Sequence, residues 1–239
     1  MSTPQKLRCR VGNVVCHGEH VYTLELIPEA PPVPRFKAGQ FFHLALDPYD
    51  PSGFWPESRV FSIASSPRER QRIHFTYSVR GRYTARMERE IEPGLQVWAK
   101  MPYGEFCINV TRPVVLLAGG TGITAFTAFL HDLVDSPPWP VTLFYGARQR
   151  DLLIYRSLVD HCAQHVDRFQ AFYLLESDEL KAANELPGQM AIASVWPHIS
   201  DSASSSFYIS GPPAMIRSLS TQLRDMGVSG HSIHIDAWA

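Results

Sequence analysis

Apolar and polar positions divide the chain into two textures. In the first part, segments 7–15, 21–27, 40–46, 59–63, 72–79 and 96–101 are short runs rich in Val, Ile, Phe and Tyr. Clusters of Pro and Gly at 28–34, 48–56 and 93–94 separate them. Short β-prone runs punctuated by turn residues predict strands, and this many at this spacing predict a sandwich or barrel. One helix is expected at 84–91, just after Gly81.

Past Thr111-Arg112-Pro113 the texture changes. Segment 114–118 is a continuous apolar strand, followed by a Gly-rich turn and a helical segment at 125–134. Strands at 141–145, 169–175 and 207–210 alternate with helices at 155–164 and 213–226. Strands alternating with helices imply a parallel sheet covered on both faces. The expected domains are therefore 1–110 and 111–239. No internal repeat is visible, and the serine run at 202–206 reads as a loop.

Composition narrows the class. The 239 residues are 45% apolar and 19% charged, enough for two domains that each bury a core. A net charge of −1 gives no broad electrostatic footprint for nucleic acid or an anionic membrane. Cys9, Cys16, Cys107 and Cys162 are scattered, with no C-x-x-C pair and no run suited to an iron–sulfur cluster. In a chain this long they are not a disulfide framework, which favours a reducing cytoplasm. Residues 1–10 carry no apolar signal core. The longest apolar stretch, 114–130, is broken by Gly119, Gly120 and Gly122 and is too short to span a bilayer. The expectation is a soluble, cytoplasmic protein.

The Gly-rich turn Gly119-Gly120-Thr121-Gly122-Ile123-Thr124 joins an apolar strand to a helix. Glycines let the backbone approach a ligand, and a helix N-terminus offers free N–H groups and a positive dipole end. That combination suits a pyrophosphate. A tight strand–helix turn that binds nothing needs glycine too, and the spacing is not G-x-G-x-x-G.

Other segments add context. Arg59-Val60-Phe61-Ser62-Ile63-Ala64-Ser65 resembles the R-x-[YF]-S-x-x-S flavin motif of the ferredoxin–NADP reductase family. Gly81-Arg82-Tyr83-Thr84 is similar to its G-x-x-[ST] phosphate segment, and Pro102-Tyr103-Gly104-Glu105-Phe106 to its P-x-G-x-F link. Gly119 to Thr124 matches its pyridine-nucleotide turn, and Tyr208-Ile209-Ser210-Gly211-Pro212-Pro213-Ala214-Met215 resembles its C-G-P-P-x-M segment. Five motifs stand in the family's order over most of the chain.

The resemblance implies an antiparallel six-stranded flavin-binding barrel followed by a nucleotide-binding α/β domain. It implies that Arg59 pairs with the FAD pyrophosphate, a bidentate task suited to guanidinium. Phe61 is expected against the isoalloxazine and Ser62 at its N5 region. Gly81 and Thr84 are expected at the phosphates, with Val60, Tyr77, Val79, Arg82 and Tyr83 lining the same site. In the second domain Gly120, Thr121, Gly122, Gly211 and Pro212 would hold NADH or NADPH. Ser210 replaces the family's cysteine and leaves the nicotinamide geometry open. Trp238, near the end of His234-Ile235-Asp236-Ala237-Trp238-Ala239, loosely fits the family's terminal aromatic that covers the flavin. Arg59, Phe61 or Ser62 taken singly would read as surface charge, strand core and satisfied polar group.

The implied activity is an FAD-dependent NAD(P)H oxidoreductase. A flavin accepts two electrons from a nicotinamide and returns them one at a time, so the protein's task is placement and electrostatics. No general base is required, and Glu105, Asp236 and His74 are not assigned that role. Glu176, ending the strand at 169–175, would accept from ribose hydroxyls and repel a 2′-phosphate, which favours NADH; Arg148 pulls the other way. With no cluster of its own, the chain is expected to serve a separate ferredoxin, flavodoxin, haem or oxygenase component. A free-flavin reductase and a non-catalytic nucleotide-binding subunit are the alternatives. His161 and His165 have zinc-compatible spacing without a further ligand and read as a solvated helix face. Arg80, Arg82, Arg86 and Arg89, balanced by Glu88 and Glu90, read likewise.

Overall fold

A computed structural model describes residues 3–133 and 136–236. The chain forms two compact units, Met1–Cys107 with Thr127–Asp132, and Ile108–Phe126 with Leu133–Ala239.

The first unit contains β1 (Gln5–Cys16), β2 (Val21–Pro28), β3 (Phe41–Ala45), β4 (Ser58–Ser62), β5 (Ile73–Ser78), α1 (Arg82–Glu90) and β6 (Gln96–Tyr103). The six strands pair antiparallel in the order β4-β3-β6-β1-β2-β5. Just past β4, the Ala64 N–H donates to the His74 carbonyl at 2.7 Å and links the two edge strands. The result is a nearly closed barrel. Alternation decides what fills it: on β1, Leu7, Cys9 and Val11 are buried while Lys6, Arg8 and Arg10 are exposed. Leu24, Leu26, Phe42, Leu44, Phe75, Val97, Ala99 and Met101 complete the interior.

Helix α1 plugs Tyr83 and Met87 into this core. The Tyr83 hydroxyl donates to the Leu44 carbonyl at 2.8 Å and accepts from the Leu46 N–H at 3.2 Å. It thereby ties the helix to the end of β3. Arg86 adds an ion pair with Asp47 at 2.6 Å and one with Glu90 at 2.8 Å. The arginine-rich stretch is thus partly structural rather than a merely solvated face.

The second unit contains β7 (Val114–Gly119), the start of α2 (Thr124–Asp132, of which Thr127–Asp132 is grouped with the first unit), β8 (Val141–Ala147), α3 (Arg156–His165), β9 (Phe169–Leu175), β10 (Glu185–Pro187), α4 (Ile192–Val195), β11 (Ser206–Ser210), α5 (Pro213–Asp225) and β12 (Ile233–Ile235). Its six strands lie in the order β10-β9-β8-β7-β11-β12, every neighbouring pair parallel. Strands β7 and β11 are buried at every position, and β8 at all but one. Burial on both faces explains why they read as unbroken apolar runs. The edge strands β10 and β12 and the short α4 were not expected from the sequence.

Replacing Tyr83 by Phe removes a hydroxyl shared by three backbone groups, the Leu44 and Glu57 carbonyls and the Leu46 N–H. The Tyr83→Phe variant should lose about 1–3 kcal/mol, read as a lower urea midpoint at unchanged slope.

Candidate functional site

Each unit carries its own constellation, and each is built by strand ends. In the barrel, β4 pairs Leu44 with Arg59 and Phe42 with Phe61, which puts Arg59 and Phe61 on the same face of the sheet as those two core residues, with Arg59 itself exposed. The Arg59 guanidinium lies 4.8 Å from the centre of the Tyr83 ring, donates to the Ser58 carbonyl at 2.8 Å and pairs with Glu57 at 3.0 Å. Arg82 reaches the same Glu57 oxygen at 3.6 Å. Phe61, half-buried, has Phe75 at 4.9 Å and Tyr77 at 6.1 Å between ring centres. Tyr77 is buried and stacks on Tyr22 at 5.4 Å; burial pushes its phenol well above the usual range. The Tyr22 hydroxyl donates to Glu88 of α1 at 2.8 Å. Val79 follows β5 and packs on the core, its N–H donating to the His20 carbonyl at 3.0 Å.

At the start of α1, Gly81 is extended and a Cβ there would meet nothing within 4 Å. The Thr84 hydroxyl accepts from the N–H groups of Arg80, at 2.9 Å, and Gly81, at 3.1 Å. It therefore serves the helix cap, and the hydroxyls of Tyr83 and Thr84 are both spent inside the protein. The first-turn N–H groups of α1 remain the donors this segment presents.

Val60 and Ser62 point to the opposite face of β4 from Phe61. Their backbones, however, face the seam. The Ile63 N–H goes to the Gln40 carbonyl at 3.0 Å, toward β3, and the Ala64 N–H goes across to His74. Alternation then turns the N–H groups of Val60 and Ser62 toward the same edge as Ala64.

In the second unit, β7 and β11 are neighbours from which the sheet extends in opposite senses, toward β8 and toward β12. A crevice at the carboxyl ends of such a strand pair is where open α/β sheets bind ligands. Here it is formed by the turn Gly120–Ile123, which leads into α2, and by Ser210-Gly211-Pro212, which leads into α5. The two turns touch. A Cβ at Gly122 would come within 2.5 Å of the Gly211 nitrogen, a backbone atom that cannot swing aside. Gly211 has φ +152 and a Cβ there would meet the Met215 methyl at 2.6 Å. Around Gly120, by contrast, a Cβ would meet nothing within 4 Å. The Thr124 hydroxyl donates to the Thr121 carbonyl at 2.8 Å and shapes the turn.

Ser210 is buried, and its hydroxyl donates to a carboxylate oxygen of buried Asp236 at 2.9 Å. Arg148 and Glu176 sit side by side past β8 and β9: the Ser177 N–H donates to the Arg148 carbonyl at 3.0 Å, and Gln189 donates to the Glu176 carboxylate at 3.2 Å. Trp238 lies outside the described residues.

Sequence reasoning missed what fixes the loop after β9. Glu185, with a side chain 1% exposed, accepts from Arg150 at 2.7 Å, from Arg156 at 3.1 Å and from the Lys181 N–H at 2.6 Å. The Arg150 N–H and guanidinium also bind Asp178 and the Glu179 carbonyl. These donors, Arg150 foremost, hold the Glu185 carboxyl down at about 2. Nothing marked Glu185, since in sequence it stands in a polar stretch like any surface acid. His161 and His165 stack at 4.3 Å, and among the described residues no group of three or more His, Cys, Asp or Glu could hold a metal.

Comparison with known proteins places this geometry. Residues 116–221 match the model of the oxidoreductase NAD-binding domain. Over that stretch the chain is similar to the oxidoreductase NAD-binding family. It is 26% identical over 210 residues to terephthalate 1,2-dioxygenase reductase component 1 of Comamonas sp., covering 86% of this chain and 60% of that protein. It is 26% identical over 223 residues to the propane 2-monooxygenase reductase component of Mycolicibacterium goodii, covering 89% and 62%. The chain thus spans about 60% of the length of these relatives. In fold, it matches the flavohem-like FAD/NAD-binding domain of nitric oxide dioxygenase from Vibrio cholerae with a TM-score of 0.80 at 21% identity, over 97% of this chain and 98% of that one. A ferredoxin NADP+ reductase from Neisseria gonorrhoeae, solved with FAD and NADP, gives a TM-score of 0.77 at 20% identity over 99% of both chains.

The Glu185 clamp makes an acid-stability prediction. A carboxyl held below its ordinary 4.5 stabilises the fold above that value and loses this contribution as pH falls from about 4.5 toward about 2. Denaturant midpoints measured down that range should fall more steeply for the native protein than for Glu185→Gln, which starts less stable at neutral pH.

Proposed function

We propose that this chain is an FAD-dependent NAD(P)H oxidoreductase that passes electrons to a separate acceptor protein. The observation that carries the reading is the pair of touching turns at the carboxyl ends of β7 and β11, where only glycine backbone fits. A dinucleotide needs such a place, with backbone N–H groups and a helix start close to its pyrophosphate. The residues present fit both groups. The start of α1 with open Gly81, beside Arg59, offers charge and helix donors to the FAD phosphates. Gly120, Thr121 and Gly122 with Gly211 and Pro212 form the corresponding cradle for the pyridine nucleotide.

Bound FAD would supply the conversion between a two-electron donor and one-electron acceptors. The protein's part is placement. Phe61 and Tyr77 give the isoalloxazine an aromatic, water-poor flank. We assign Ser62 its contribution through the backbone N–H at the seam, because its hydroxyl points to the other face of β4. Val60 shares that edge, and Val79 closes the apolar side. Arg59 releases Glu57 or shares it when it takes a phosphate, since its planar fork can serve both. Tyr83 holds α1 in place and carries Arg59 on its ring, while Thr84 keeps the cap formed. Ser210, its proton committed to Asp236, offers its oxygen to the nicotinamide as an acceptor only.

NADH is the preferred donor in this reading. Glu176, steadied by Gln189, places a carboxylate where a 2′-phosphate would sit, next to the cationic Arg148. The acceptor is a separate protein, in keeping with relatives that are reductase components of oxygenases. A cytoplasmic location belongs to the same proposal; the four cysteines form no disulfide, and no helix among the described residues is long and apolar enough to cross a membrane.

The purified protein loaded with FAD should show flavin absorption bands that bleach anaerobically on adding NADH. A protein that takes up no flavin, or whose flavin neither NADH nor NADPH reduces, ends this reading. Glu176→Ser should raise the NADPH over NADH preference by about tenfold or more, the size of one removed like-charge contact, through KM rather than kcat.

A further inference from the structure

The loop between β3 and β4 holds Phe54 with 99% of its surface exposed, although its surroundings are ordered. Asp50 accepts from the Ser52 N–H at 2.8 Å and from the Ser52 hydroxyl at 2.7 Å, and its carbonyl accepts from the Gly53 N–H at 2.9 Å. The next residue, Trp55, turns inward: its ring lies 5.3 Å from that of Tyr49, with the Lys100 ammonium 5.8 Å from its centre. Trp55 is a wedge that aims its neighbour outward. Two residues later the loop is stapled to the phosphate-facing segment, because the Glu57 carbonyl accepts from Tyr83 at 3.4 Å and its carboxylate pairs with Arg59 and Arg82.

We infer that Phe54 is the stacking shelf for the adenine ring of FAD. The inference rests on the flavoprotein reading above and names a subsite within it. Glu57 is three positions beyond Phe54, so the two lie within about 11 Å of chain of each other. An adenine is tied to the FAD pyrophosphate by a single ribose and must come down at comparable range. A flat apolar ring with its faces open is the surface a purine needs, since stacking works on any base and requires no hydrogen-bond code. Arg82, its side chain 89% exposed at the start of α1, stands on the same staple and supplies a cation for the adenosine phosphate.

A protein partner is the poorer occupant. The other large apolar side chains left exposed among the described residues are Val15, Trp139, Leu180 and Met226, and none comes from this loop, from β4 or from α1. A lone ring offers far less than the about 800 Å² per partner that a specific interface buries. It matches the footprint of one base.

The test compares flavins that differ only in the adenosine half. The protein stripped of flavin, and its Phe54→Ala and Phe54→Trp variants, would be titrated with FAD and with FMN, following the quenching of flavin fluorescence. Phe54→Ala should bind FAD about tenfold or more weakly, the size of one lost base–aromatic stack, with FMN affinity unchanged, while Phe54→Trp retains FAD. Equal FAD affinity for the native protein and Phe54→Ala would overturn the inference and leave the flavoprotein reading standing. Equal weakening toward FAD and FMN would overturn it too, by assigning Phe54 to the loop's shape. A native protein that binds neither flavin removes both readings together. Melting temperatures of the three proteins should coincide, since a side chain so exposed buries nothing in the fold.

Discussion

The nucleotide-binding unit turns on one steric fact: the backbone of Gly122 lies against the backbone of Ser210 and Gly211. That contact exists only because β7 and β11 are adjacent, and they are adjacent only because the chain runs out along one half of the sheet and returns to start the other. A sheet covered on both faces has no room for polar chemistry along its strands, so recognition is left to the turns at their carboxyl ends. The turns must be close enough to form one crevice and bare enough to admit a ligand. Gly122 and Gly211 meet the first demand and Gly120 the second.

The barrel solves a related problem by alternation. A single strand, β4, offers Arg59 and Phe61 side chains to one face and, through the odd–even direction of its amides, turns the Val60 and Ser62 N–H groups to the seam. Charge, aromatic surface and hydrogen-bond donors are thereby delivered from four consecutive residues without any of them competing for the same space. Helix α1 contributes its start to the same region and is held there by a phenol buried in the barrel, so the site's rigidity is borrowed from the core.

Much of this was legible in the residues. The strands of the barrel, the four apolar strands of the parallel sheet and the long helices follow from period and punctuation, and their bounds shift by only a residue or two in most cases. Strands β10 and β12 were not legible, because three residues give no period, and both are strands only through the neighbour they lie against. The roles of Tyr83 and Thr84 were legible as motif positions but not as chemistry. Their hydroxyls point into the fold, and only the placement of α1 against Leu44 and Leu46 reveals it. Glu185 is the clearest loss: a carboxylate becomes a keystone when two arginines from elsewhere in the chain converge on it, and no local pattern announces that convergence. Phe54, in turn, looked like turn material between prolines until its exposure was known.

The seam between β4 and β5 has a consequence for the protein's life without its cofactor. The other junctions of the barrel are strand ladders with a paired register, two of them interrupted by an irregularity, whereas this one is carried past the end of β4 by the Ala64–His74 bond. Amides along it are the first expected to exchange with solvent, since local opening follows the least-bonded line of a fold. A ligand laid across that line acts as the missing rung of the ladder. On the proposed reading a flavin laid there would be a structural member as well as a reactant, since a ligand that binds only the folded state stabilises it.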